Sequence, residues 1–348
     1  MKKKQVVLIF RGQAIIDEVI PRLEQYNNYE IVLVLENKLF KTITSQILKN
    51  RIEDIKYLTA DEYYIKYKNM NPEFTLMNPP YEGKSELHLQ FLNKAIENTN
   101  THIECIHPSA WILTKTHNKR MRQHEILAVK NIHKYYTKFK FVNGNELFPN
   151  ANFFYPLVIT TIDKTQPNPG CFEIEDQMNN RTLKFTNFDD INLHSDSKVY
   201  LNLRKKIILY IKNNPNLFTV GNNKKQYNVP ISKLRGSQCS INFFKDDFYT
   251  LIPRKCTPVT ETKSDFIYGF NTLEEADNFI NYLKTDFVRF CLSLYKITGN
   301  IKSGSIHKAI PYLDFTESWD NQKLFSKFNI TIEEQNKIKN IIPPFYED

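Results

Sequence analysis

Short, fully apolar runs alternate with amphipathic stretches through the first 164 residues, and this alternation constrains the fold more than any other feature of the chain. Residues 6–10 (VVLIF) and 31–35 (IVLVL) carry no polar side chain, as expected of strands buried on both faces of a parallel sheet. Between them, 13–26 reads as a helix after a turn at Arg11-Gly12. A helix over 40–50, a short strand at 56–58 followed by Asp61, and a strand at 74–77 continue the alternation. Residues 86–97 then repeat Leu87, Phe91, Leu92, Ala95 and Ile96 at helical spacing. A strand at 102–106, a basic helix over 117–129 and a strand at 153–162 complete a pattern that predicts a doubly wound α/β sheet.

At 164–170 two prolines, Pro167 and Pro169, and Gly170 fall within four residues, a composition that supports neither helix nor central strand. The sequence therefore predicts a first domain over 1–164 and a second, mixed α+β domain over 165–348. A chain of 348 residues is long enough for two cores. In the second part, 197–213 and 273–295 read as helices, 248–252 as a strand and 298–307 as a loop.

Lysine and arginine number 47 against 38 acids, a formal net charge of +9, which favours an anionic partner. The excess is concentrated: between Lys198 and Lys255 there are twelve basic residues and two acids, Asp246 and Asp247. Within it Lys224, Lys225, Lys233 and Arg235 are interleaved with Tyr227, Phe243 and Phe244, a pattern suited to DNA. Lys302 and Lys308 flank Ser303-Gly304-Ser305, which could clamp a phosphate. The five cysteines have no zinc-knuckle spacing, so no metal site is expected. Apolar runs of five residues are far short of the roughly twenty that cross a membrane, and residues 1–5 lead into no signal core. The expectation is a cytoplasmic protein.

The strand at 74–77 runs directly into Asn78-Pro79-Pro80-Tyr81, and the carboxyl ends of strands are where open α/β sheets bind ligands. The Asn78 amide can accept a hydrogen bond from an exocyclic amine, the prolines fix the turn, and Tyr81 offers a face for stacking on a base. This segment resembles the amino-methyltransferase family with an Asn-Pro-Pro-Tyr motif, in particular DNA N6-adenine methyltransferases such as the methyltransferase parts of type II restriction-modification enzymes. Residues 106–111 (IHPSAW), 147–150 (LFPN), 229–236 and 310–315 resemble later parts of the same family, in the same order.

The resemblance implies a Rossmann-like S-adenosylmethionine-dependent sheet followed by a target-recognition domain, and methyl transfer from S-adenosylmethionine to an adenine flipped out of double-stranded DNA. Asn78, Pro79, Pro80 and Tyr81 would form the catalytic turn, and Tyr81 and Phe148 would stack on the base. Gly12, Glu36 and Asp61 would meet the cofactor after the first three strands. A cognate restriction enzyme or a partner subunit would accompany such a protein. Two alternatives stay open. The first loop holds one glycine, Gly12, where relatives carry several, so the chain could be a cofactor-deficient DNA-binding or partner subunit; and the same turn could hold cytosine N4, an RNA base or a protein amide.

Overall fold

The computed structural model describes residues 4–10, 24–26, 28–48, 55–66, 70–79, 87–113, 123–148, 156–214, 218, 227–231, 257–258, 266–295 and 309–342. The chain divides into two compact units, one of residues 1–111, 120–147 and 157–188, the other of 112–119, 148–156 and 189–348.

In the first unit, β1 (Gln5–Ile9), β2 (Glu30–Leu35), β3 (Ile55–Thr59), β4 (Phe74–Met77) and β5 (His102–Pro108) run parallel, with β1 between β2 and β4. The two apolar runs of the sequence are the central strands, and Val6 to Ile9 and Ile31 to Leu35 are buried throughout. Both faces are covered, which is why these strands show no polar alternation. β7 (Leu157–Pro167) enters antiparallel between β5 and β6 (Tyr135–Val142), and β8 (Phe172–Asp176) and β9 (Arg181–Phe185) extend the sheet. The order is 3-2-1-4-5-7-6-8-9. Its first seven places, with the seventh strand reversed, make this a Rossmann-like, predominantly parallel α/β sheet.

Helices start where side chains satisfy their first N–H groups. The Asn37 Oδ1 accepts from the Phe40 N–H (3.1 Å) at the start of α1 (Lys38–Leu48). At α2 (Ala60–Lys66) Thr59 and Glu62 bond reciprocally, Oγ1 accepting from the Glu62 N–H at 3.2 Å and Oε2 from the Thr59 N–H at 2.8 Å, a capping box at the exit of β3. α3 (Leu87–Asn98) buries Leu89, Phe91, Leu92, Ala95 and Ile96, as its spacing predicts. α4 (Ala110–Leu113), α5 (Gln123–Ile132) and α6 (Gly144–Leu147) follow.

Two expectations need correction. The break at 164–170 is a turn inside the sheet: β7 runs to Pro167, Gly170 adopts φ +84°, its N–H donates to Asn168 Oδ1 (2.8 Å), and β8 and β9 then rejoin the same sheet. The first unit accordingly extends to Phe188 and does not end at 164. The sheet can continue because the prolines sit where the ladder ends, and proline removes only a donor. The sequence reading also assigns no element to β6, although Thr137, Phe139 and Phe141 alternate inward against Lys138 and Lys140. Those lysines pair across strands with Glu173 and Glu175 on β8, Lys138 at 3.3 and 2.8 Å and Lys140 at 3.0 Å.

The second unit contains α7 (Lys198–Asn213), capped by Ser197, and an antiparallel sheet of β10 (Tyr227–Ile231), β11 (Thr257–Pro258) and β12 (Phe266–Phe270). The helix expected over 273–295 is two helices, α8 (Leu273–Lys284) and α9 (Asp286–Tyr295). Thr285 divides them: its backbone is extended, and its Oγ1 donates to the Tyr282 carbonyl (2.7 Å) while accepting from the Val288 N–H (3.3 Å). One hydroxyl thus closes one helix and opens the next. α10 (Asn321–Lys327) and α11 (Ile332–Ile341) complete the unit, and Tyr200, Phe279, Tyr282 and Phe287 lie at the centre of its core. Among the described residues no helix is long and apolar enough to cross a membrane. The strand expected at 248–252 and the loop at 298–307 lie outside the described residues.

Candidate active site

The registers of the parallel strands bring their carboxyl ends to one edge. Ile9 lies beside Val34 and Met77, Leu35 beside Thr59, and Met77 beside Cys105. The residues that follow, Phe10, Glu36, Asp61 and Asn78, therefore line that edge. Strand order reverses between β1 and β4, with β2 and β3 on one side and β5 on the other, so the ligand crevice of such a sheet opens where Asn78 stands.

Asn78 is fixed at this point by its own backbone, whose N–H donates to the Ile9 carbonyl (2.8 Å) and extends the β1–β4 pairing one residue past the strand. Its side chain is 6% exposed, and Pro79 is also buried. Pro80 and Tyr81 lie outside the described residues, as does Gly12.

The two acids stand as the sequence places them, one strand and two strands away from β1. Glu36 is half-buried directly after β2, and Asp61 is exposed in the first turn of α2. The neighbouring acid, Glu62, is committed to the fold: it pairs with Lys41 at 2.9 Å and caps its own helix, and the Lys41 bond, then the Thr59 N–H, holds its carboxyl below the usual range. Of the two acids at this helix start, Asp61 is the exposed one that caps no helix.

Behind the edge, β5 carries His107, which is fully buried. The Trp111 indole N–H donates to His107 Nδ1 (2.9 Å). The ring proton of the neutral imidazole must then reside on Nε2, which donates to Thr160 Oγ1 (2.7 Å). Burial, and next the nearby His88, hold the His107 pKa well below the ordinary range. His88 stacks on it, with centroids 5.7 Å apart and planes 19° apart, and burial lowers His88 to about 4. His107 is therefore a core histidine, and the cluster braces the strand next to β4. Trp111 and Thr160 enter it unforeseen, although the four-residue step from His107 to Trp111 was visible.

Phe148 is half-buried and belongs to the second compact unit. Lys224, Lys225, Lys233, Arg235, Lys302 and Lys308 lie outside the described residues.

No family model matches the chain, and comparison with curated proteins finds no match. Among solved structures, similarity extends to a "predicted O-methyltransferase" from Agrobacterium tumefaciens (13% identity, 51% of this chain and 81% of that one, TM-score 0.34). It extends also to TrmK of M. capricolum in complex with S-adenosylhomocysteine (11%, 61% and 81%, TM-score 0.33), and to a methyltransferase from Pyrococcus furiosus (12%, 47% and 76%, TM-score 0.32). Likeness at this level carries no activity across, and the fold reading rests on the strand order itself.

Proposed function

We propose that the protein is an S-adenosylmethionine-dependent DNA methyltransferase acting on the N6 amine of adenine. The observation that supports this reading most is the buried Asn78, tied by its backbone to Ile9 at the point where the strand order reverses. A side-chain amide oxygen and the Pro79 carbonyl are acceptors without competing acid–base chemistry. Together they would hold both hydrogens of a planar amine and orient its lone pair, while relieving the positive charge that develops during transfer. The nearby His107 is neutral and committed at both ring nitrogens, so it is not assigned a part.

The donor set at the edge fits the cofactor. Glu36 would accept hydrogen bonds from ribose hydroxyls, as acids at the end of the second strand do in dinucleotide folds. Asp61 would accept from the adenine amine, and the backbone around Gly12 would approach the methionine part. The cofactor supplies an electrophilic methyl group on a sulfonium. The basic stretch from Lys224 to Arg235 supports a DNA substrate, since an adenine must leave the duplex to expose N6 and the protein must hold the backbone while it does.

Titration calorimetry with S-adenosylmethionine tests the first half of this reading. Wild-type protein is expected to bind, and Glu36→Ala to bind at least tenfold more weakly. An absence of heat both alone and with duplex DNA would remove the enzyme and leave the partner-subunit reading, which the single glycine of the first loop favours. For the substrate, charge reversal at Lys224, Lys225 and Arg235 is expected to weaken DNA binding and make its salt dependence shallower. Each phosphate contact contributes about 0.9 to the slope of log affinity against log salt, so the slope should fall by roughly 2 to 3. An unchanged slope would move recognition to the region of Lys302 and Lys308.

A further inference from the structure

The second unit bears a recess of about 280 Å³, open to solvent at Asn271, Tyr312, Asp314 and Thr316, that the proposed reaction does not use. Its floor is aromatic, formed by Tyr268 and Phe270 of β12 together with Phe315. Tyr312, 37% exposed, forms an open wall, standing at 83° to Phe218 and 88° to Phe315 with ring centroids 5.0 and 6.0 Å apart. The segment that bears these groups is anchored three times through its backbone. The Tyr282 hydroxyl donates to the Pro311 carbonyl (2.7 Å), the Trp319 indole to that of Asp314 (2.7 Å), and the Asn278 amide to that of Phe315 (2.9 Å). The cavity is thus formed before any ligand arrives.

Two carboxylates line it, Glu275 and Asp314, and no lysine or arginine among the described residues does. One oxygen of each serves the fold. Glu275 Oε2 accepts from the Asn271 N–H (2.8 Å), and Asp314 Oδ1 accepts from the N–H and hydroxyl of Thr316 (3.0 and 2.8 Å). Among the described residues the second oxygen of each makes no such bond. These Thr316 bonds lower the Asp314 pKa, so the carboxylate stays charged at neutral pH. The Tyr312 phenol is held above its usual range, by burial first and then by the charges of Asp314 and Glu275, consistent with all three groups facing one space. In a chain of formal charge +9, this is a negatively charged recess beside the partly exposed ring of Tyr312. Phosphates are repelled there, and the volume lies just below the usual range for ligand pockets of roughly 300 to 1,000 Å³. Cations are attracted twice, by the carboxylates and by the exposed part of the Tyr312 ring.

We propose that this cavity binds an organic cation, a guanidinium or alkylammonium head group, between Tyr312 and the carboxylates of Glu275 and Asp314. An arginine side chain and a free polyamine share this chemistry. Calorimetry on the full chain with N-acetylarginine amide, spermidine and the neutral isostere N-acetylcitrulline amide tests it. At least one of the two cations should bind at least tenfold more tightly than the citrulline compound, and the tighter of the two identifies the source. The double variant Glu275→Gln, Asp314→Asn keeps an acceptor for each backbone bond and should weaken the cation at least tenfold. Tyr312→Leu, at a partly exposed position, should weaken it about threefold or more and serves if the double variant does not fold. Equal binding of arginine and citrulline compounds, undiminished cation binding in the folded variants, or no binding of either cation at millimolar concentration would each overturn the proposal.

Discussion

Asn78→Ala is expected to abolish the proposed adenine methylation while leaving the protein folded. The loss should be roughly 10²-fold or more, the scale on which removing one preorganised hydrogen-bonding group from a transition state acts. The backbone N–H that donates to Ile9 survives the substitution, so the β1–β4 pairing and the thermal midpoint should change little. Asn78→Asp separates geometry from charge: it keeps one acceptor in place, and its partial activity, above that of alanine, would show that acceptance by the Oδ1 position is what matters. Steady-state methylation of duplex DNA by nucleoside mass spectrometry reads both variants. Activity retained in Asn78→Ala would remove the site.

The second large effect is acid destabilisation. His88, held near 4 by burial, and His107, held well below the ordinary value of 6.5 by burial and by His88, are neutral in the folded protein. Between about pH 4 and 6.5 the unfolded chain binds protons that the folded chain refuses. The stability these rings contribute is therefore complete above pH 6.5 and is lost as pH falls toward 4. For His88 alone the loss between pH 7.5 and 5.0 is about 2 kcal/mol, and His107 adds in the same direction. Urea unfolding at the two pH values measures it. In His88→Gln, where the ring cannot titrate, the difference should shrink by about 2 kcal/mol whatever the variant's absolute stability. A wild-type difference near zero would contradict the buried neutral pair.

Much of the first unit was legible because its strands are buried on both faces. Residues 6–10 and 31–35 have no alternative to a central parallel strand, and the strand at 74–77 matches β4 residue for residue. β6 was missed for the opposite reason. Its alternation of Phe139 and Phe141 with Lys138 and Lys140 is real, but it is stabilised by acids on β8, thirty or more residues later, which no local pattern reveals. The boundary was misplaced because proline and glycine mark a change of direction, and a turn within a sheet needs one as much as a linker does. The division of 273–295 at Thr285 was hidden because threonine is compatible with a helix interior and caps one only when its neighbours leave groups to satisfy. The placement of Asn78, Glu36 and Asp61 at or just beyond strand ends was legible from the sequence, while the roles proposed for them are not read from the fold. The cavity of the second unit was not, since Tyr268, Glu275 and Asp314 come together only through tertiary packing.

The central claim is that a methyl group passes from S-adenosylmethionine to N6 of adenine in DNA at the Asn78 turn. The most direct measurement incubates the purified protein with duplex DNA and S-adenosylmethionine carrying a trideuterated methyl group, then digests the DNA to nucleosides for mass spectrometry. The account predicts trideuterated N6-methyladenine with wild-type protein and none with Asn78→Ala. Label on N4 of cytosine, label in RNA or protein offered in the same assay but not in DNA, or no label in any of them would contradict it.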